Sequence, residues 1–180
     1  MNNNFKIILL GNSGVGKTSF CQRLFNQSLT VPKTTIMFDY WDTGGSERFR
    51  SLTKTFIHKS HGILIFFDLC RPQSIDYWID QIYDHQFYRP PIIVLIGTKY
   101  DCIDTIKTSV ISEITQKYPY QLFLTSSIQN FNITEASDHI MTQIINQTLK
   151  YRQTDTEYHH VYNSVKLIST KSSPTRSCCY

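Results

Sequence analysis

The sequence predicts an α/β protein with a doubly wound, mostly parallel sheet that carries helices on both faces. Short, uninterrupted apolar segments alternate along the chain with stretches of helical periodicity. Unbroken apolar strands between helices are typical of a parallel sheet that is buried on both faces. A glycine-rich turn follows the first strand, and it places the expected ligand site at the carboxyl ends of the strands.

The elements follow one another in a regular order. The first strand, "FKIILL", is apolar, and a helix follows the turn after it. "GILIFFD" and "PIIVLIGT" are similar runs, and each precedes a helix. The predicted strands are 5–10, 62–68, 91–98 and 119–126, and the predicted helices are 17–26, 73–87, 107–118 and 131–150. Trp78 and its apolar neighbours at helical spacing are expected to pack in the core.

Composition limits the classes of protein that fit. The chain has 180 residues, of which 41% are hydrophobic, and no apolar run reaches membrane-spanning length, so one soluble domain over 1–150 is expected. The net charge of +4 is mild and scattered, which argues against nucleic-acid binding. Five cysteines without metal-ligand spacing fit reduced thiols, and no secretory leader pattern is present, so we expect a cytosolic protein.

The segment "GNSGVGKTSF" has the spacing GxxxxGKT between a strand and a helix. Glycines allow successive N–H groups to converge on a phosphate, and the helix N-terminus adds partial positive charge. Lys17 is expected to reach the outer phosphates, and the Thr18 hydroxyl is expected to bind Mg²⁺. The predicted phosphate-binding residues are Gly11, Asn12, Ser13, Gly14, Val15, Gly16, Lys17, Thr18 and Ser19.

Further motifs stand at other strand ends and favour guanine. In "WDTGG", Asp42 is expected to hold Mg²⁺ through water, and the Gly45 N–H to approach a terminal phosphate. In "GTKYD", Asp101 can accept two hydrogen bonds from guanine that adenine does not offer, while the Lys99 stem lies over the base. The predicted base-binding residues are Thr98, Lys99, Asp101, Ser126 and Ser127.

Over about residues 5–150 the chain resembles the Ras-like small GTPases, and within them the Rab family. The likeness rests on "GNSGVGKTSF", "WDTGGSERFRSLT", "GILIFFD" followed by "SIDYWIDQI", and "CCY". It implies a monomeric switch that binds GTP or GDP with Mg²⁺, has effector and regulatory proteins as partners, and acts in vesicle traffic. Thr98 stands where most Rab proteins have Asn. Ser127 and Ile128 replace the usual Ala and Lys, which weakens the expected base contacts.

The resemblance also implies a membrane anchor. Residues 151–180 have little periodicity and are rich in Ser and Thr, so a flexible tail is expected. Cys178 and Cys179 match the family's prenylated pair, which implies geranylgeranyl lipid on both and attachment to the cytoplasmic face of a membrane, with a cytosolic pool. Two lipid chains give stable binding where one gives marginal binding. The alternative to a lipid anchor is a disordered end with two unmodified cysteines.

Ser46 departs from the family's pattern. It occupies the position where the family usually has a Gln that orients the attacking water. A serine hydroxyl is shorter and does not reach the same place, so Ser46 is a degenerate catalytic residue and slow GTP hydrolysis is expected. Whether the chain hydrolyses GTP at all stays open.

The segment before "WDTGG" is shortened. In the family, a Mg²⁺-binding Thr and a two-strand hairpin precede this motif, whereas here the candidate Thr35 lies only seven positions before Asp42. If 36–41 form a strand, its rise of about 3.3 Å per residue puts Thr35 roughly 20 Å from the metal. If Thr35 binds Mg²⁺, these residues must form a loop. We favour the strand because the first strand's edge would otherwise be exposed, and we expect the family's antiparallel edge strand to be missing. An error in the gene model is the alternative.

Three functional interpretations follow. The first is a Rab-like GTP-binding protein, lipid-anchored, with weak hydrolysis and an altered first switch. The second is a Rab-like pseudo-GTPase that binds little or no nucleotide and acts as a membrane-tethered interaction module. The third, a P-loop kinase of small metabolites, is poorly supported because "WDTGG" and "GTKYD" have no place in it.

Overall fold

The computed structural model describes residues 3–26, 36–43, 55–72, 75–85, 87, 89–105, 108–154 and 175–179. The strands are β1 (Asn3–Leu10), β2 (Ile36–Asp42), β3 (Gly62–Asp68), β4 (Ile92–Thr98), β5 (Gln121–Leu124) and β6 (Thr175–Cys179). The helices are α1 (Lys17–Phe25), α2 (Ile75–Tyr83), α3 (Thr108–Lys117) and α4 (Ile133–Thr154). A 3₁₀ helix spans Tyr100–Thr105.

The strands form one sheet in the order β5-β4-β3-β1-β2-β6, and all five pairings are parallel. One apolar cluster joins α1 and α4 to one face, with Phe20 and Ile140 fully buried. A second cluster joins α2 and α3 to the opposite face, with Trp78 and Ile114 buried. Because both faces are covered, the first six residues of β3 are buried without alternation. This confirms the predicted doubly wound α/β class.

Some helix bounds differ from the prediction. The helix predicted to start at 131 begins at Ile133, because Asn132 takes a left-handed φ of 53° that a helix interior does not accept. The same helix runs four residues past the predicted end and stops at Thr154. Among the described helices, none has both the length and the apolarity that a membrane crossing requires.

The shortened segment forms a strand. Seven consecutive residue pairs align β2 with β1 in parallel, from Ile36 opposite Asn3 to Asp42 opposite Leu9. The strand alternative is therefore confirmed, and the pairing explains why no antiparallel strand is needed to close this side of β1. Tyr40 is fully buried, and its hydroxyl lies 2.6 Å from Ser137 Oγ on α4. The side chain thereby fixes β2 to the helical layer.

The structure describes two parts of the segment 151–180, which was predicted to be a tail. α4 extends to Thr154, and residues 175–179 form β6, which pairs with β2 in parallel over five residues. The reason why β6 forms lies at the edge of β2. Among the described residues before 155, β2 pairs with β1 alone, so the N–H and C=O groups on its other side need partners.

Candidate functional site

The turn from β1 to α1 forms a cradle that only glycine permits at its ends. A Cβ on Gly11 would lie 2.4 Å from the carbonyl oxygen of Phe66, closer than real contacts allow. Gly16 precedes α1 with a φ of 101°, in the left-handed region that disfavours side chains. Residues 17–19 make up the first turn of α1, where backbone N–H groups are available to an anion.

Lys17 is held in this cradle by its own loop. Its Nζ donates to the carbonyl oxygens of Gly11 at 2.7 Å and Asn12 at 3.0 Å, and the residue is 6% exposed. Burial lowers the pKa of Lys17 from its ordinary value, and the charge of the Asp42 carboxylate opposes this shift. The loop therefore keeps a partly dehydrated ammonium beside the cleft, where it interacts more strongly with an anion than it would in water.

Thr18 and Asp42 meet across the cleft. The Thr18 hydroxyl donates to Asp42 Oδ2 at 2.5 Å, so α1 and the end of β2 present two oxygen ligands at one point. Thr43 fixes this end of β2, because its buried hydroxyl donates to the Leu9 carbonyl. Oxygen ligands of this kind suit Mg²⁺, which binds one or two protein oxygens and completes its shell with phosphates and water. The residues present therefore fit a magnesium ion.

The cleft between these elements has a volume of about 350 Å³. This lies at the low end of the range for small-molecule sites, roughly 300–1,000 Å³. Its lining joins the glycine-rich turn to the end of β2, and consists of Ser13, Gly14, Gly16, Lys17, Thr18, Ser19, Asp42 and Thr43. The structure thus brings together most of the predicted phosphate and metal residues, although they come from segments more than twenty residues apart.

Thr98 connects the end of β4 to the phosphate loop. Its hydroxyl lies 2.6 Å from the Val15 carbonyl oxygen and 2.9 Å from that of Phe67, and the residue is 4% exposed. The side chain therefore joins the phosphate loop to the ends of β3 and β4. The short hydroxyl of Thr98 therefore reaches the phosphate loop.

Thr98→Ala is expected to lower the free energy of unfolding by about 1–2 kcal/mol, because it removes a buried hydroxyl that contacts two carbonyl groups. Urea unfolding followed by circular dichroism measures the change. Thr98→Ser keeps the hydroxyl and should lose clearly less stability. An alanine variant as stable as the parent chain contradicts the bracing role.

Lys99 and Asp101 follow β4 and stand where a base is expected. Lys99 takes a left-handed φ of 62°, and its Nζ pairs with Asp68 Oδ2 at 2.7 Å. Burial alone raises the pKa of Asp68. The hydrogen bonds from Lys99 and the Cys70 N–H, together with the charges of Lys99 and Arg71, outweigh burial, so the pKa lies below its ordinary value. Asp68 thus holds the Lys99 stem in one place, which the sequence motif does not show.

Asp101 is fixed by the next loop of the sheet. Ser126, which is fully buried, donates its hydroxyl to Asp101 Oδ1 at 2.6 Å. This hydrogen bond is the main cause that lowers the pKa of Asp101 from its ordinary value. The carboxylate is therefore ionised near neutral pH and can accept hydrogen bonds from a base.

Two contacts of the site were not predicted from the sequence. Arg23 on α1 donates to the carbonyl oxygens of Ser127 at 2.8 Å and Ile128 at 3.3 Å, and so holds the base loop against the first helix. Trp78 is in the core as predicted, and its Nε1 also donates to Asn12 Oδ1 at 3.2 Å. These residues are 104 and 66 positions from their partners, and no local motif marks them.

Three predicted positions lie outside the described residues, namely Thr35, Gly45 and Ser46. Ile36, the first residue of β2, lies six residues and about 20 Å along the strand from Asp42. The roles predicted for Gly45 and Ser46 stay predictions.

The chain is similar to known proteins over most of its length. A model of the Ras family matches residues 6–146. The Ras-related protein Rab-27A of Rattus norvegicus is 33% identical over 78% of this chain and 78% of its own length. Rab-27B of Bos taurus is 30% identical over 97% of this chain and 95% of its own length. RabC of Dictyostelium discoideum is 31% identical over 81% and 86%.

Proposed function

Because the chain belongs to the Ras family of small GTPases and, within it, to the Rab family, we propose that it binds GDP and GTP with Mg²⁺ and acts in vesicle traffic. One observation carries the proposal. The Lys17 ammonium, the Thr18 hydroxyl and the Asp42 carboxylate converge on one cleft at the carboxyl ends of β1 and β2. Positive charge, free N–H groups and paired oxygen ligands are what a nucleotide phosphate with a magnesium ion requires.

The proposed roles divide between this cleft and the loops that follow β4 and β5. The first turn of α1 and Lys17 bind the phosphates, and Thr18 and Asp42 hold the magnesium ion, which when bound offsets phosphate charge. Lys99 and Asp101, held by Asp68 and Ser126, bind the guanine base. Thr35 is left out of the metal site, because its neighbour Ile36 begins β2 about 20 Å from Asp42.

Equilibrium binding of fluorescent GDP and GTP to the purified chain tests the proposal. Binding that EDTA weakens and that excess ATP does not displace is the expected result. The pseudo-GTPase interpretation is the second candidate, and the shortened segment before Asp42 favours it. A folded protein that binds neither nucleotide overturns the first proposal and supports the second.

We propose slow hydrolysis, because Ser46 stands where the family usually has Gln. Ser46→Gln is expected to raise the single-turnover rate of GTP hydrolysis by about tenfold or more, since the longer amide can orient the attacking water. Single-turnover release of phosphate from preloaded GTP measures it. Ser109→Gln, the same change on the exposed face of α3, is the matched control and should leave the rate unchanged. A parent chain that already hydrolyses GTP as fast as the Gln variant contradicts the proposal.

We also propose that Cys178 and Cys179 carry geranylgeranyl groups that attach the protein to a membrane. The support is the resemblance of this cysteine pair to the Rab pattern, together with the family membership. Mass measurement of the peptide that contains both cysteines, from chain made in a eukaryotic host, tests it. An unmodified peptide argues against the anchor and leaves nucleotide binding unaffected.

A further inference from the structure

β2 presents an edge that is open to strand pairing. On one side it is aligned with β1 over seven consecutive residues, and no bulge interrupts the pairing. Natural sheets protect such an edge with Pro, Lys, a bulge or a very short strand. β2 has the sequence "IMFDYWD", which contains neither Pro nor Lys, and its charged residues are Asp39 and Asp42. Its far side is therefore a surface on which an extended segment can dock.

The structure shows one occupant of this edge. Residues 175–179, "TRSCC", align with 37–41, with Ser177 opposite Asp39 and Cys178 opposite Tyr40. β6 also lies against α1, so it sits at the corner between the sheet edge and the first helix. The segment has one basic residue, Arg176, and no acidic one, whereas β2 has only acidic charge. Arg176 aligns with Phe38 and Ser177 with Asp39, so the pairing rests on the backbone hydrogen bonds of the two strands.

The length of chain before β6 permits this docking. Residues 155–174 separate the end of α4 from the start of β6, and a parallel partner strand needs a connection of a dozen or more residues. Closing a connection of this length opposes the docking. Pairing must offset the entropy of closing this connection and of ordering five residues that carry no large apolar side chain.

We propose that the outer edge of β2 is a docking site for the chain's own segment 175–179, and that docking withdraws Cys178 and Cys179 from modification. The protection of the cysteines from modification rests on the lipid anchor proposed above, whereas the pairing of 175–179 with β2 does not depend on that anchor. A residue whose backbone is paired inside a sheet must separate from it before an enzyme can draw the segment into an active site. Docking and modification therefore compete for the same segment.

Hydrogen exchange on the full chain tests the docking. The variant Arg176→Pro with Ser177→Pro removes two adjacent N–H groups, one of which must point toward β2, since neighbouring amides in a strand point to opposite sides. About half of the amides of β2 face this edge and should exchange roughly tenfold faster or more in the variant. The amides of β4, at residues 92–98, are the internal control and should not change. Ser172→Pro with Ser173→Pro, placed just before the strand, is the matched control variant.

Enzymatic lipid transfer tests the withdrawal of the cysteines on the same proteins. A purified eukaryotic prenyltransferase should modify Cys178 and Cys179 about tenfold more slowly in the parent chain than in the variant, read by mass spectrometry on the peptide that contains them. Equal exchange of β2 in both proteins overturns the docking. Changed exchange with equal lipid transfer to both proteins, or with none to either, overturns the withdrawal of the cysteines and leaves the docking in place. Both measurements are made without nucleotide, so a failure to bind GDP gives a separate result.

Discussion

Lys17→Ala is expected to weaken the binding of GDP and GTP by about 100-fold, because it removes the one ammonium that the phosphate loop holds inside the cleft. The loop itself positions this group. Two loop carbonyls accept from it, and the residue is almost fully buried. Because the ammonium is held at the cleft, it needs little rearrangement to bind a phosphate. Its removal should therefore lower the affinity for nucleotide by the full contribution of the charge.

Titration of fluorescent GDP measures the effect, with two comparison variants. Lys117→Ala makes the same charge change on α3, where the ammonium pairs with Asp76 at the surface, and should leave affinity unchanged. Lys17→Arg keeps the charge but adds bulk in a cradle closed by the Gly11 and Asn12 carbonyls, and it should also bind poorly. An Arg variant that binds normally would show that charge alone, without the geometry of the loop, accounts for binding.

Asp101→Asn is expected to raise the dissociation constant for GDP by about 100-fold and to create measurable binding of xanthosine diphosphate. The carboxylate accepts two hydrogen bonds from guanine, whereas an amide offers one acceptor and one donor. Xanthine carries a carbonyl where guanine carries the amine, so it matches the amide. Ser126 donates to Oδ1 in the parent chain, and the Asn carbonyl can keep that bond, so the loop should stay in place.

Competition binding with GDP, xanthosine diphosphate and ADP measures the switch in preference. Asp80→Asn, on the exposed face of α2, is the matched control and should retain the parent order of affinity. Circular dichroism and the urea midpoint confirm that the variant is folded. If Asp101→Asn binds GDP as well as the parent chain does, Asp101 does not read the base, and the site must recognise nucleotide by its phosphates alone.

Much of the site was predictable because its chemistry is local. The GxxxxGKT spacing places Lys17 and Thr18 at the start of the helix that follows the glycine-rich turn. The positive φ angles of Gly11 and Gly16 explain why these positions need glycine. Uninterrupted apolar runs likewise predict parallel strands, since both faces of such a strand are buried. The place of β2 followed from the same reasoning, because β1 required a partner on that side.

The tertiary structure alone decided which distant groups support the site. The bracing of the phosphate loop by Thr98, the clamp of Arg23 on the base loop and the bond from Trp78 to Asn12 join residues 66 to 104 positions apart. No periodicity or propensity reports such pairs, because those signals act over a few neighbouring residues. The formation of β6 was likewise decided by the tertiary structure. "TRSCC" has a weak strand signal of its own and forms a strand where the open edge of β2 supplies partners for its backbone.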